Sequence, residues 1–75
     1  MTKLQNVRKE KGLTQRELAH LSGVSLRMVQ HYERGEFRFE NVGVGVMIRL
    51  ALALGCHLSD LLDGEDAELA LALEN

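Results

Sequence analysis

The sequence contains no proline and no tryptophan, and it has only three aromatic residues and one cysteine among its 75 residues. Because proline interrupts helices and aromatic side chains favour strands, these shortages predict an all-α chain. Cys56 has no second cysteine to pair with, so an intramolecular disulfide is excluded, which agrees with a reducing cytoplasm.

Long apolar runs are also lacking. The longest, residues 42–54, is interrupted by Arg49 and is well short of the ~20 residues that a membrane span requires. The first dozen residues are polar and charged, which does not fit a secretory signal peptide. We therefore expect a cytoplasmic protein with no membrane association, and the length allows one small domain.

Charge is distributed unevenly along the chain. Residues 1–38 contain eight Lys or Arg against four Asp or Glu, a local charge of +4. Residues 39–75 contain one Arg against seven acids, a local charge of −6. A random scatter of solvated charges is one interpretation. The other is that one half faces a polyanion and the opposite half is repelled from it.

Glycine positions divide the chain into helices. Five glycines each follow a run with helical periodicity, where a left-handed residue closes a helix; these are Gly12, Gly23, Gly35, Gly55 and Gly64. Capping residues open the first three runs, namely Thr2, Thr14 and Ser25. The pattern predicts five helices, at about 3–11, 15–22, 26–34, 44–54 and 58–62.

The fourth and last segments are apolar in different ways. Residues 44–54 are apolar almost all round, so we expect this helix to be the buried central element, with Ile48 at the middle of the core. The segment 64–75, "GEDAELALALEN", is acidic and rich in Ala and Leu. It could form a sixth helix with Leu69 and Leu73 on one side, pack against a second subunit, or fray.

The second and third helices are joined by a three-residue turn containing Gly23, which is the spacing of a helix-turn-helix unit. Ala19 permits close approach of the two helices, and Val24 fills the corner beneath the turn. Val29 and Tyr32 should face inward. The outward face then carries Leu26, Arg27, Gln30, His31 and Arg34. A major groove is wide enough to admit such a helix.

The chain resembles the lambda repressor/Cro family of Xre-like helix-turn-helix domains over roughly residues 3–63. The resemblance is carried by "LQNVRKEKGLTQRELAHLSGVSLRMVQHYERG" and "VMIRLALALGCHLSDLLD". It implies a compact five-helix domain, usually dimeric on DNA, whose third helix enters the major groove. The chain departs from the family in its longer loop at 36–43, and in Gly43 and Gly45, where a better cap and a helix former are common.

Four residues of the third helix are the candidates for contact with bases: Leu26, Arg27, Gln30 and His31. Arg27 can bond a guanine bidentately at O6 and N7, and its alternatives are a phosphate contact or free solvation. Leu26 and Met28 could touch a thymine methyl, although Met28 could instead complete the core. His31 can bond a base edge or a phosphate, or remain solvated.

Five residues are the candidates for contact with phosphates: Thr14, Gln15, Arg16, Arg34 and Arg38. Gln15 resembles the family glutamine that bonds a phosphate and braces the recognition helix, and helix N-termini favour anions independently. Phe37 and Phe39 flank Arg38, and Phe39 is expected to anchor the loop rather than to stack on a base. The resemblance also implies a structural ion pair between Arg8 and Glu33.

The sequence predicts no enzyme, metal site or cofactor. The conventional nucleophile and ligand candidates are His20, His31, His57 and Cys56. Cys56 and His57 are adjacent but lack a second ligand pair at a zinc spacing. The "GVG" at 43–45 lacks the glycine spacing and the preceding strand of a phosphate-binding loop.

We therefore expect residues 1–63 to bind double-stranded DNA sequence-specifically as a homodimeric transcriptional regulator, most simply a repressor, and residues 64–75 to form an acidic tail. The alternative is an antitoxin or interaction module of the same fold, which binds a small protein partner through its apolar, acidic C-terminal end. "AELALALE" motivates that alternative.

Overall fold

The computed structural model describes residues 2–35 and 43–74, and every regular element in these ranges is helical. The elements are α1 (Lys3–Glu10), α2 (Gln15–Ser22), α3 (Leu26–Glu33), α4 (Val44–Leu54), a short 3-10 helix (Leu58–Leu61) and α5 (Gly64–Glu74). The prediction of an all-α architecture is confirmed for the described residues.

Local hydrogen bonds set the helix boundaries. The Thr2, Thr14 and Ser25 side chains each accept a hydrogen bond from a backbone N–H three residues on, at 3.2, 3.0 and 3.2 Å. Such caps satisfy N–H groups that have no partner within the helix. Gly23 closes α2 with a φ of 73°, a conformation that a Cβ would disfavour. The chain can therefore turn sharply from α2 into α3.

The core is built from one face of each of the first four α-helices and from the 3-10 helix. Its most deeply buried side chains include Leu4, Leu18, Val29 and Leu50. Ala51, Leu54 and Leu61 extend the same cluster. Since these side chains come from α1, α2, α3, α4 and the 3-10 helix, they fix α2 and α3 to a single support.

The expectation that Ile48 of α4 lies at the middle of the core is wrong. Met47, Leu50 and Leu54 face the core, but Ile48 is 42% exposed and Leu52 is 76% exposed. Among the elements that the structure describes, α2, α5 and the 3-10 helix pack on one side of α4. The centre of the core is therefore Leu50 rather than Ile48.

The segment after α4 also differs from the expectation. Residues 58–61 form a 3-10 helix rather than an α-helix, and α5 follows directly from Gly64. Ala70 is buried and packs with Met47 and Leu62, while Leu69 and Leu73 point away from the domain. Small alanines let α5 approach closely, so the tail is a helix whose leucines are left outside. None of the described helices is long and apolar enough to cross a membrane.

Candidate nucleic-acid interface

A network of buried polar groups holds α3 against α1. Arg8 Nε donates to Glu33 Oε2 at 2.6 Å, and Arg8 Nη2 donates to Glu33 Oε1 at 3.0 Å. The Glu33 side chain is only 1% exposed and that of Arg8 10%. Two parallel bonds between a guanidinium and a carboxylate fix orientation as well as distance. The end of α3 is therefore locked to α1, as the family resemblance implied.

Other bonds extend this network to the ends of α1 and α2. Arg8 Nη1 donates to the Leu13 carbonyl at 2.8 Å, and Gln15 Nε2 donates to Glu33 Oε1 at 3.0 Å. The Thr2 hydroxyl donates to the Glu33 carbonyl at 3.2 Å. Within the described residues, no buried side-chain polar atom lacks a hydrogen-bond partner. A satisfied network of this kind makes the positions of α1, α2 and α3 mutually dependent.

The two helices of the helix-turn-helix unit meet at a tight corner. Val24 is buried under the turn, and Ala19 packs against the core. Ser22 is buried as well; its hydroxyl donates to the Ala19 carbonyl at 3.4 Å and accepts from the Val24 N–H at 3.2 Å. Sequence reasoning missed Ser22. The signal available was a hydroxyl side chain directly before the turn glycine, a position suited to bonding the turn backbone.

The outward face of α3 carries the candidate base-contacting residues. Val29, Tyr32 and Glu33 are buried, while Arg27 and Arg34 are exposed. The remaining three, Leu26, Gln30 and His31, are half-buried. Met28 packs against the core. With Val29 at the centre of the inner face, Arg27 and Arg34 lie on nearly the opposite side of the helix.

The N-terminus of α2 carries three of the candidate phosphate-contacting residues. Thr14 caps the helix through a reciprocal pair of bonds with Glu17, at 3.0 and 2.9 Å. The backbone and side-chain bonds from Thr14 lower the pKa of Glu17, which therefore stays charged. Gln15 is half-buried against Glu33, but its amide has a second N–H. Arg16 is exposed.

The other candidate residues lie at the end of α3 and in the loop that follows it. Arg38, Phe37 and Phe39 lie outside the described residues, so their predicted contacts stay predictions. Arg34 forms the C-terminal cap of α3 and is exposed. The candidate interface that the structure describes therefore consists of the N-terminal end of α2 and the outer face of α3.

The other reactive side chains do not assemble into a centre. Among the described residues, no group of three or more His, Cys, Asp and Glu could hold a metal ion. Cys56 is half-buried, and this burial, aided by the nearby Asp60 carboxylate, raises the pKa of its thiol. A thiol with a raised pKa is a poor nucleophile at neutral pH. Cys56 packs against the core as a small apolar residue.

Comparison with known proteins identifies the unit made by these elements. A family model described as helix-turn-helix matches residues 4–61, which is well over half of the chain. No curated protein and no solved structure matches the chain. The match begins in α1 and ends at the last residue of the 3-10 helix, so α5 lies outside it.

Proposed function

Because this chain belongs to the lambda repressor-like helix-turn-helix family of DNA-binding regulators, we propose that it is a cytoplasmic transcriptional repressor that binds specific sequences of double-stranded DNA as a homodimer. The observation that carries the proposal is the buried Arg8–Glu33–Gln15 network. It braces α3 while leaving Arg27 on the outside. A rigid helix with an outward arginine suits recognition of a major groove.

In the proposed complex, α3 lies in the major groove and Arg27 is the main base-contacting residue. Its guanidinium would donate to O6 and N7 of a guanine, a contact that discriminates by about 1–3 kcal/mol. Leu26, Gln30 and His31 border it along the same helix and would contact neighbouring bases. The half-buried state of these three supports fixed rather than mobile side chains.

Phosphate contacts come from the start of α2 and the end of α3. The exposed Arg16 and Arg34 supply charge, while Thr14 and Gln15 supply hydrogen-bond donors at a helix N-terminus. Arg38 would contribute a further phosphate contact. The local charge of +4 over residues 1–38 supports this orientation, because the acidic second half then points away from the DNA.

The proposed homodimer would place two copies of α3 on half-sites one helical turn apart, about 34–36 Å. Selection of bound duplexes from a random library tests the proposal. Wild-type protein should recover a two-fold symmetric site, and Arg27→Ala should lose preference at one base position in each half-site. Arg16→Ala is the matched control, since loss of a phosphate contact weakens all duplexes alike.

Two results would defeat this reading. Binding that does not weaken with salt would exclude phosphate contacts, since each neutralised phosphate adds about −0.9 to the log–log slope. Recovery of no enriched sequence would exclude specific recognition. If Arg27→Ala instead loses affinity equally for all duplexes, Arg27 contacts the DNA backbone rather than a base.

A second candidate function is supported by α5. This helix lies outside the family match and exposes Leu69, Leu71 and Leu73 beside several acids. An antitoxin that binds a small protein partner through this end would also bind its own operator. Co-purification of a stoichiometric second protein with the tagged chain would favour the antitoxin.

A further inference from the structure

Two rows of exposed aliphatic side chains lie on α4 and α5, and Leu21 near the end of α2 continues the first of them. The first, which we name the α4 stripe, consists of Leu21, Val44, Ile48 and Leu52. The second, the α5 stripe, consists of Leu69 and Leu73. Soluble monomers rarely leave contiguous apolar patches of this kind uncovered.

The α4 stripe follows one side of its helix. Val44, Ile48 and Leu52 are spaced four residues apart, so they form a single ridge. Leu21 continues it, since Leu21, Leu52 and Arg49 border the same shallow groove between α2 and α4. Arg49 is exposed beside the ridge and is the only Lys or Arg in residues 39–75.

The α5 stripe has the opposite electrostatic character. Leu69 and Leu73 continue the row begun by Glu65 one turn earlier, and Glu68 is exposed close by. Glu74, at the end of the same helix, accepts bonds from the backbone N–H groups of Leu58 and Ser59 at 3.1 and 3.2 Å. These bonds and the packing of Ala70 hold α5 in place, so its stripe is presented rigidly.

Neither stripe alone is large enough for a stable interface. The exposed residues of the α4 stripe amount to about 400 Å² and those of the α5 stripe to about 250 Å², whereas a standard interface buries about 800 Å² on each partner. The two stripes together approach that area. Met47 of α4 and Ala70 of α5 belong to one buried cluster with Leu62, so the two helices approach each other around Leu62.

The charges beside the two stripes determine which stripe of one copy packs on which stripe of the other. A two-fold axis through the α4 stripe would bring Arg49 against its own copy, and an axis through the α5 stripe would oppose Glu65 and Glu68 to theirs. Like charges at an interface are unfavourable. Contact between the α4 stripe of one copy and the α5 stripe of another avoids both repulsions. An antiparallel arrangement also brings Glu65 of the second copy to Arg49.

We infer that the homodimer forms by reciprocal packing of the α4 stripe of each copy on the α5 stripe of the other, with Arg49 paired to Glu65 across both contacts. This inference rests on the homodimer of the proposed function and assigns its surface. Leu21 lies in the last turn of α2 and Gln15 in its first, about 9 Å apart along the helix, so the inferred interface does not need to cover Gln15.

Complementation between two defective chains tests this pairing. Leu52→Asp damages the α4 stripe and Leu69→Asp damages the α5 stripe, and both side chains are exposed in the single copy. In the reciprocal dimer a mixture of the two variants retains one intact contact, whereas each variant alone has none. Sedimentation equilibrium over a concentration series should show wild-type protein near 17 kDa, twice the chain mass of 8.4 kDa.

We expect each variant alone to dimerise at least tenfold more weakly, and the equimolar mixture to recover much of that loss. Leu71→Asp is the matched control: Leu71 is exposed on α5 but lies on the other flank from Leu69 and Leu73, so the dimer should persist. A circular dichroism melt of each variant identifies any chain that fails to fold. Failure of the mixture to recover when both variants are folded would overturn the reciprocal pairing.

Exchange of the two charges provides a second test, which leaves the leucines of both stripes unchanged. Arg49→Glu and Glu65→Lys should each weaken the dimer, and the double variant should restore it. Equal weakening in the double variant would overturn the antiparallel pairing. A wild-type chain that stays monomeric would overturn the whole inference, while Arg27-dependent selection of a DNA site by that monomer would leave DNA recognition standing.

Discussion

Arg8 and Glu33 are 25 residues apart in the chain, yet two hydrogen bonds of 2.6 and 3.0 Å join them in the interior. Each group offsets the desolvation of the other, and Gln15 and Leu13 satisfy further bonding positions. Neither charge is then available to DNA. The pair holds in place the helix that we propose to enter the groove, which links the stability of the domain to its binding.

Removal of one partner should therefore be severe. Glu33→Ala leaves the Arg8 guanidinium buried without its carboxylate, which costs about 3–5 kcal/mol. A domain of this size has a net stability of about 3–5 kcal/mol. We expect the variant to be largely unfolded at 25 °C by circular dichroism. Glu10→Ala, an exposed position on α1, is the control, and a melting temperature for Glu33→Ala equal to that of this control would contradict the prediction.

Two glycines should respond to alanine with opposite signs. Gly23 has a φ of 73°, a backbone conformation that disfavours a Cβ, but a Cβ there would meet no atom within 4 Å. Gly23→Ala should therefore lower the free energy of unfolding by the conformational cost alone, about 1–2 kcal/mol. Gly45 is in the first turn of α4, also in open space. Gly45→Ala should stabilise by about 0.5–1 kcal/mol. Urea unfolding of the two variants measures both; a loss of stability in Gly45→Ala would contradict the reasoning.

Local sequence signals were sufficient for the helix-turn-helix unit. The boundaries of α2 and α3 are marked by Thr14, Ser25 and Gly23, which bond residues three or four positions away. The predicted second helix, 15–22, coincides with α2, and the predicted third, 26–34, exceeds α3 by one residue. A cap acts over one turn, so its effect on the backbone can be inferred without knowing the tertiary structure.

The second half of the chain depends on contacts that are distant in sequence. An apolar residue such as Ile48 carries the same signal whether it faces a core or an outer surface, so its exposure could not be predicted. The 3-10 helix donates a backbone hydrogen bond from Leu58 to the carboxylate of Glu74, sixteen residues further on. Alanines rather than leucines face inward on α5 because α5 lies close to Met47 and Leu62. The sequence pattern groups Leu69 and Leu73 on one side of a helix but does not determine which side faces the domain.

Acid should loosen the attachment of α5. Burial raises the pKa of Glu74, but bonds from Ser59, Leu58 and His57 outweigh it and hold the pKa below its ordinary value of 4.5. A carboxylate whose pKa is lower in the folded than in the unfolded state stabilises the fold at pH values above its unfolded pKa. This stabilisation is lost as the pH falls through its folded pKa. The protection factors of the Leu58 and Ser59 amides against hydrogen exchange, which correct for the intrinsic pH dependence of exchange, should therefore fall below about pH 4.5. Glu74→Gln should exchange faster at neutral pH and respond less to acid.

Two substitutions at Gln15 distinguish its bond to Glu33, which braces α3, from its proposed contact with a phosphate. Gln15→Glu would place a second carboxylate about 3 Å from Glu33 Oε1, so repulsion should lower both the melting temperature and the affinity for DNA. Gln15→Ala removes the amide without adding charge. It should weaken binding to every duplex by a similar factor, while the preferred sequence stays the same, because phosphate contacts carry no base information. Fluorescence anisotropy with one selected and one scrambled duplex measures both effects. A changed sequence preference in Gln15→Ala would mean that the bonds from Arg8 to Glu33 are not sufficient to position α3 without Gln15, since only a displaced recognition helix would meet different bases.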